Sequence, residues 1–216
     1  MPVAAFQELA AKSDPPLDEL ALALAAEFRA VDADAALARL DELGDEVTDL
    51  AAGEDGLAAL TAVLGGRHGF AGERERYDDP GNSMLDVVLE RRAGLPILLS
   101  VLYVEVGRRA GLALAGVGLP GHYVVGRFAP PPPVLLDPFA GGTRLDVADF
   151  DVADVRPWGP HETALRMLNN LVGSFTRRQD LGRAIRAAEL RLVLPVGDAA
   201  AQELGVELRA LRARLN

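Results

Sequence analysis

The chain has 216 residues and a formal net charge of −10, from 32 acidic against 22 basic side chains. Half of the residues are apolar and a quarter are charged, which is the balance of a chain that buries a hydrophobic core. A surface this acidic repels phosphate backbones and argues against a nucleic-acid partner. The chain contains no cysteine, which excludes disulfides, thiolate catalysis and cysteine-ligated metals.

Membrane and export signals are also missing from the sequence. No apolar run approaches the ~20 residues of a membrane span. The first residues, MPVAAFQELAAKSD, show no basic segment followed by an apolar one. We therefore expect no membrane partner and no signal peptide. The absence of cysteine suits a reducing compartment, so a cytoplasmic location is expected.

The first third of the chain predicts a helical lobe over residues 1–70. The first expected helix follows the start signal Ser13-Asp14-Pro15, with apolar side chains at helical spacing over residues 17–28. A second helix is expected from Asp34 to a stop at Gly44. A third runs near Asp55 to Leu64 and ends at a pair of glycines.

The central segment, residues 71–158, begins in a loop and then changes periodicity. A helix capped by Asn82 or Ser83 is expected to run through Arg92. The next, over residues 96–110, is apolar on almost every side, which is typical of a helix in the centre of a domain. Short apolar runs at 112–117, 123–128 and 134–136 then predict strands, with the proline tetrad 130–133 as a surface tip.

The last segment, residues 159–216, returns to helical spacing over 161–178, 184–194 and 199–215. The last two stretches resemble one hairpin of a helical repeat, but no second copy is present, so a repeat array is not predicted. The whole pattern predicts an α+β fold. Its parts are a helical N-terminal lobe, a central helix on a small antiparallel sheet, and a helical C-terminal appendage.

The three histidines are His68, His122 and His161, and no two have the spacing of metal ligands on a helix. No metal or cofactor is therefore expected. His122 opens one predicted strand and Asp137 ends the next, so adjacent antiparallel strands can bring them within about 2.7–3.2 Å. Such a pair is the orienting half of a catalytic triad. It also occurs as a structural contact, which spacing alone favours.

Three motifs carry a family resemblance: YDDPGNSMLDVVLERRAGLPILLS from Tyr77 to Ser100, then GVGLPGHYVV, then LLDPFAGG. Together with RMLNNL at 166–171 they resemble the SirB1 family, within the transglutaminase-like group related to papain-like proteases. The resemblance implies a transglutaminase-like core over residues 71–158. It places His122 and Asp137 at the His and Asp of the triad, and Pro96 where active members have the nucleophilic cysteine.

The resemblance therefore implies a non-catalytic module that binds a small ligand or a protein partner through the old cleft. The expected lining of that cleft is Tyr77, Asn82, Arg91, Arg92, Pro96, His122 and Asp137. We also expect Arg91 or Arg92 to pair with Asp78 or Asp79 and hold the intervening loop over the cleft.

Two alternatives stay open at this point. The first is a hydrolase or acyl-transfer enzyme in which Ser100, one helical turn beyond Pro96, is the nucleophile with His122 as general base. A serine in a buried helix usually bonds to a carbonyl one turn earlier, which favours a structural role for Ser100. The second is a structural scaffold whose helical tail docks a partner.

Overall fold

The computed structural model describes residues 5–53 and 55–215. The sequence analysis predicts no signal peptide at the N-terminus, and residues 1–4 of that segment lie outside the described residues. Among the described residues, no helix combines the length and the apolar character needed to span a membrane. The predicted α+β class is confirmed, with helices packed around a four-stranded antiparallel sheet.

The N-terminal helices are α1 (Phe6–Ala10), α2 (Leu17–Ala26), α3 (Ala33–Ala51) and α4 (Gly56–Thr61), followed by a π-helical turn at Ala62–Arg67. The predicted stop at Gly44 is wrong, since α3 continues through it. A Cβ at Gly44 would lie 2.5 Å from Cβ of Arg109, so this glycine lets another helix pack closely on α3. α1 has only five residues and carried no recognisable signal.

A short turn precedes the central helices. Pro80–Ser83 forms a 3₁₀ turn capped by Asp79, and α5 (Leu85–Arg91) starts after Met84. The predicted caps Asn82 and Ser83 are therefore wrong, because both belong to the turn. Arg92 has φ 59°, a left-handed conformation that ends α5 as expected.

The central helix α6 (Pro96–Arg109) is buried on almost every side, as its sequence predicts. Leu98, Leu99, Leu102 and Tyr103 are all 0% exposed. Directly before it, the two-residue strands β1 (Ala71–Gly72) and β2 (Ala93–Gly94) pair in parallel. Pro96 occupies the first turn of α6, where a missing N–H leaves no helical bond unmade.

The main sheet has strand order β3 (Ala115–Leu119), β4 (His122–Arg127), β5 (Val134–Asp137) and β6 (Thr143–Leu145), each antiparallel to its neighbour. The first three strands match the predicted runs within a few residues. β6 was not predicted because three residues are too few for an alternating pattern. The proline tetrad lies at the exposed tip between β4 and β5.

The C-terminal helices are α7 (Pro160–Arg177), α8 (Leu181–Arg191) and α9 (Asp198–Ala213). One hydrophobic core runs from Phe6 to Leu194 and takes side chains from all three predicted segments. The appendage is thus packed on the rest of the molecule through α7 and α8.

A buried charge cluster joins three helices behind the sheet. Asp18 on α2 and Glu105 on α6 are each 3% exposed. Arg109 donates to Asp18 at 2.8 Å, to Glu105 at 3.1 Å and to Asp41 on α3 at 2.6 Å. Arg108 adds a second bond to Glu105 at 2.9 Å. Burial and the negative charge of Asp18 raise the pKa of Glu105.

Candidate functional site

His122 and Asp137 meet across adjacent antiparallel strands, β4 and β5. Nε2 of His122 lies 3.0 Å from Oδ2 of Asp137, within the predicted range. The His122 side chain is 31% exposed and that of Asp137 is 13% exposed. A carboxylate at this distance favours a proton on Nε2, which leaves Nδ1 as the ring nitrogen available to another group.

Asp137 also has a structural role in the turn that follows β5. Its Oδ1 accepts the backbone N–H of Phe139 at 2.9 Å, and its carbonyl accepts that of Gly142 at 2.8 Å. One carboxylate oxygen therefore holds the turn while the other faces His122. The turn therefore fixes the carboxylate that lies beside the imidazole.

Phe139 is the centre of the exposed face around this pair. The His122 and Phe139 ring centroids lie 6.3 Å apart in an edge-to-face arrangement, and those of Tyr77 and Phe139 lie 6.4 Å apart in a similar one. The guanidinium of Arg74 lies 5.2 Å over the same ring. Phe139 and Arg74 were not among the predicted site residues. The DPF motif contains Phe139, but only the fold shows what surrounds its ring.

The start of α6 is tied to this face through β1 and β2. Gly72 pairs with Gly94, two residues before Pro96. A Cβ at Gly72 would collide with the Phe139 ring, so the glycine allows the ring to lie flat against β1. The strand pair that precedes α6 thus packs against the turn that carries Phe139, whose ring contacts His122.

Ser100 is not placed for catalysis. Its side chain is 0% exposed, and its Oγ donates to the carbonyl of Tyr123 at 3.4 Å. That carbonyl belongs to the residue after His122, so Ser100 supports the backbone of β4. Among the hydrogen bonds of the described residues, none joins Ser100 to the His122 ring.

Asn82 supports the site from inside. It is 1% exposed, and its Nδ2 donates to the carbonyls of Arg76 at 2.6 Å and Tyr77 at 3.4 Å. Its own carbonyl accepts the N–H of Leu95 at 3.0 Å. Asn82 therefore joins the loop that presents Tyr77 to the start of α6, rather than lining a cleft as expected.

The predicted arginine clamp is present in one of its forms. Arg91 donates a hydrogen bond to Asp79 at 2.9 Å. Burial alone would raise the pKa of Asp79, but the hydrogen bonds from Gly81 and Arg91 outweigh that effect and lower its pKa below the usual value. Arg92 is exposed. Arg91 lines a different pocket together with Asp79, whereas the expectation that Arg92 lines the cleft with His122 stays a prediction.

No group of three or more histidine, aspartate or glutamate side chains in residues 5–53 and 55–215 is arranged to hold a metal ion. His68 lies between Arg39 at 3.1 Å and Glu46 at 2.9 Å, and His161 bonds the carbonyl of Ala10 at 3.1 Å. Both rings therefore have partners within the fold, as the His122 ring has in Asp137.

Comparison with known proteins places this geometry in a family. A model of the transglutaminase-like superfamily matches residues 34–186. A UPF0162 protein of Xylella fastidiosa (strain Temecula1) is 34% identical over 172 residues, which cover 72% of this chain and 61% of that protein. A UPF0162 protein of Pseudomonas aeruginosa is 34% identical over 155 residues, covering 69% of this chain and 56% of the relative.

The mouse F-box only protein 21 is 38% identical over 98 residues, which cover 45% of this chain and 14% of that protein. No solved structure matches the chain at a significant level. The chain spans 61% of the length of the first of these relatives. The matched range contains α6, His122 and Asp137, and we conclude that the chain belongs to the transglutaminase-like superfamily.

Proposed function

We propose that this chain is a SirB1-type member of the superfamily that binds a small ligand or a protein partner without catalysing a reaction on it. The binding surface, called the His122 face below, is formed by Arg74, Tyr77, His122, Asp137 and Phe139. The SirB1 assignment is supported by the three sequence motifs, which supply α6, His122 and the turn after β5.

The proposal rests on one combination: the His–Asp pair of a triad is present, and the nucleophile that the resemblance leads us to expect is absent. The pair has the 3.0 Å contact and partial exposure that an orienting dyad needs. Pro96 stands where the resemblance places the nucleophile, and it has neither a reactive side chain nor an N–H for an oxyanion hole. Ser100, one turn further on, is enclosed and bonded to Tyr123.

The His122 face has its own binding chemistry. Nδ1 of His122 can accept a hydrogen bond, and Arg74 brings a cation over the Phe139 ring that His122 also contacts. Tyr77, 49% exposed, adds an aromatic ring with a hydroxyl. A half-exposed aromatic group flanked by polar groups is typical of small recognition sites.

The hydrolase alternative requires a hydroxyl within hydrogen-bond reach of His122. The test compares wild type with Ser100→Ala on peptide and ester substrates. We expect neither protein to exceed the uncatalysed rate. Wild-type turnover that disappears in Ser100→Ala would overturn the non-catalytic proposal.

Binding is tested by affinity capture with wild type, His122→Ala and Tyr77→Ala. Arg144→Ala is a matched control, because Arg144 is exposed on β6 of the same sheet. A molecule retained by wild type and by Arg144→Ala, and lost by both His122 face variants, is the expected result. If the His122→Ala and Tyr77→Ala proteins retain everything that wild type retains, the binding role is assigned to the wrong surface.

A further inference from the structure

A second concave site lies on the other side of the loop that carries Tyr77. It is a cavity of ≈ 450 Å³ between the end of α2, the Asp79–Gly81 turn with α5, and the corner where α7 meets α8. Tyr77 faces Phe139, whereas Asp79 faces Arg91 in this cavity. The loop thus separates the cavity, called the α7–α8 pocket below, from the His122 face.

The floor of the α7–α8 pocket is apolar and largely aromatic. The rings of Phe28 and Phe175 lie with centroids 5.2 Å apart and an interplanar angle of 38°. Met84, the residue before α5, and Val87 of α5 are 5% and 6% exposed and complete the wall. Because Phe175 is only 3% exposed, the ring of the half-buried Phe28 is the part of this floor that an aromatic or aliphatic group of a ligand can contact.

The rim carries four arginines, in a chain whose net charge is −10. They are Arg29, Arg91, Arg178 and Arg183. Three of them are paired: Arg29 with Asp86, Arg91 with Asp79, and Arg183 with Asp180.

Two of the three acidic groups in the lining are already engaged. Asp79 accepts the N–H of Gly81 with one oxygen and Arg91 with the other, each at 2.9 Å. Asp180 accepts the backbone N–H of Arg183 with one oxygen and its guanidinium with the other, each at 3.1 Å. Asp79 and Asp180 therefore add little acceptor capacity for a further guanidinium. The third acid, Glu90, is exposed on α5 and leaves one negative charge in the lining.

Arg178 is the rim arginine without such a partner. It ends α7, its side chain is exposed, and it makes no hydrogen bond or ion pair with any side chain in the described part of the protein. Its charge acts on Asp79 only at longer range. A guanidinium presents five N–H donors in a planar fork that suits carboxylates and phosphates.

From these contacts we infer that the α7–α8 pocket binds a small organic anion. The anionic head, a carboxylate or a phosphate monoester, lies on Arg178, and its apolar or aromatic body lies on the Phe28–Phe175 floor. The cavity is of the size that holds a small organic molecule. This site is independent of the His122 face and does not rest on its proposed function.

The test measures binding of three probes to the full chain by calorimetry or by NMR. N-acetylphenylalanine and phenyl phosphate carry the anion, and N-acetylphenylalaninamide is the uncharged match of the first. We expect the anions to bind and the amide to bind at least about tenfold more weakly, because it lacks charge-assisted hydrogen bonds. The tighter of the two anions identifies the head group.

Arg178→Gln should weaken binding of the two anions about tenfold and leave binding of the amide unchanged. Arg209→Gln is the matched control, since Arg209 is an exposed arginine on α9 outside the pocket. Phe28→Leu tests the floor and should weaken all three aromatic probes. The inference is overturned if neither anion binds at millimolar concentration, or if Arg178→Gln binds the anions as tightly as wild type does.

Discussion

Two clusters of carboxylates and cationic groups differ mainly in where the fold places them. The Asp18–Glu105–Arg109 cluster is enclosed between three helices, and each polar group bonds another member. The His122–Asp137 pair lies at the edge of the sheet, with the imidazole 31% exposed and Nδ1 left without a protein partner among the described residues.

The difference shows that ion-pair chemistry alone does not identify a functional site. Buried charged groups that pair with one another have no donor or acceptor left for a ligand. They hold the helices that carry them together. A half-exposed pair leaves one ring nitrogen available and contributes little to folding. The comparison predicts that substitutions in the first cluster greatly lower the free energy of unfolding. Substitutions in the second pair should change it little and should change the reactivity of groups near His122.

The largest effect is expected from Arg109→Met. Removing this side chain takes the 2.8 Å donor from Asp18 and one of two arginine donors from Glu105, and both carboxylates are 3% exposed. Breaking a buried pair in this way costs about 3–5 kcal/mol. Urea unfolding measures the loss. Arg108→Met is the control, because Arg108 bonds Glu105 too but its side chain is 58% exposed, and it should cost under about 1 kcal/mol. Equal losses would contradict the distinction between the clusters.

Pro96→Cys tests whether the half-exposed pair retains the chemistry of a triad. A thiol at the first turn of α6 gains from the helix dipole and from His122, both of which lower a thiol pKa from ~8.5. We expect iodoacetamide to react with it roughly three- to tenfold faster at pH 6 than with free cysteine. The rate is followed by mass spectrometry.

The double variant Pro96→Cys/His122→Ala separates the two causes. It should lose most of the acceleration, because the helix terminus alone remains. If both proteins react at the rate of free cysteine, then His122 does not reach the start of α6 and the triad alignment is wrong.

A smaller effect is expected at Asp137. Asp137→Ala removes the acceptor for the N–H of Phe139 as well as the partner of His122, and loss of such a cap costs about 1 kcal/mol. Asp137→Asn keeps an oxygen for the cap and should recover most of that stability. Thermal unfolding of both variants beside His122→Ala gives the comparison. An Asn variant as unstable as the Ala variant would show that the charge, not the cap, holds the turn.

The smallest effect is a pH dependence in a third, partly exposed pair. The hydrogen bond from His68, with help from Arg67, holds the pKa of Glu46 below its usual 4.5. A carboxylate with a lowered folded pKa stabilises the fold above the unfolded value and loses that contribution as pH falls through the folded value. Glu46→Gln should therefore be less stable than wild type by under about 1 kcal/mol at pH 6, and the difference should shrink as pH falls from 4.5 through the lowered folded pKa. Urea midpoints at pH 6 and across the acid range below pH 4.5 check this.

The sequence predicted the fold class, α6 and the His122–Asp137 contact, because each depends on a local pattern or on strand alternation. It failed where a residue's role depends on a distant neighbour. Gly44 reads as a helix stop, but its partner is Arg109, 65 positions further along the chain. Arg91 and Arg178 meet at one pocket only because α7 packs against the Pro80–Ser83 turn. The hydrophobic periodicity of a sequence does not predict contacts between residues that are far apart along the chain.

The double use of Asp137 bears on how this chain could have changed over evolutionary time. Selection for a folded turn is enough to retain Asp137, since one of its oxygens caps Phe139 whether or not any chemistry occurs. His122 has no such second duty: its ring contacts are Asp137 and the edge of Phe139. Among relatives without a nucleophile, drift alone should therefore erase the histidine before the aspartate, and a lineage that keeps both would indicate selection on the imidazole itself.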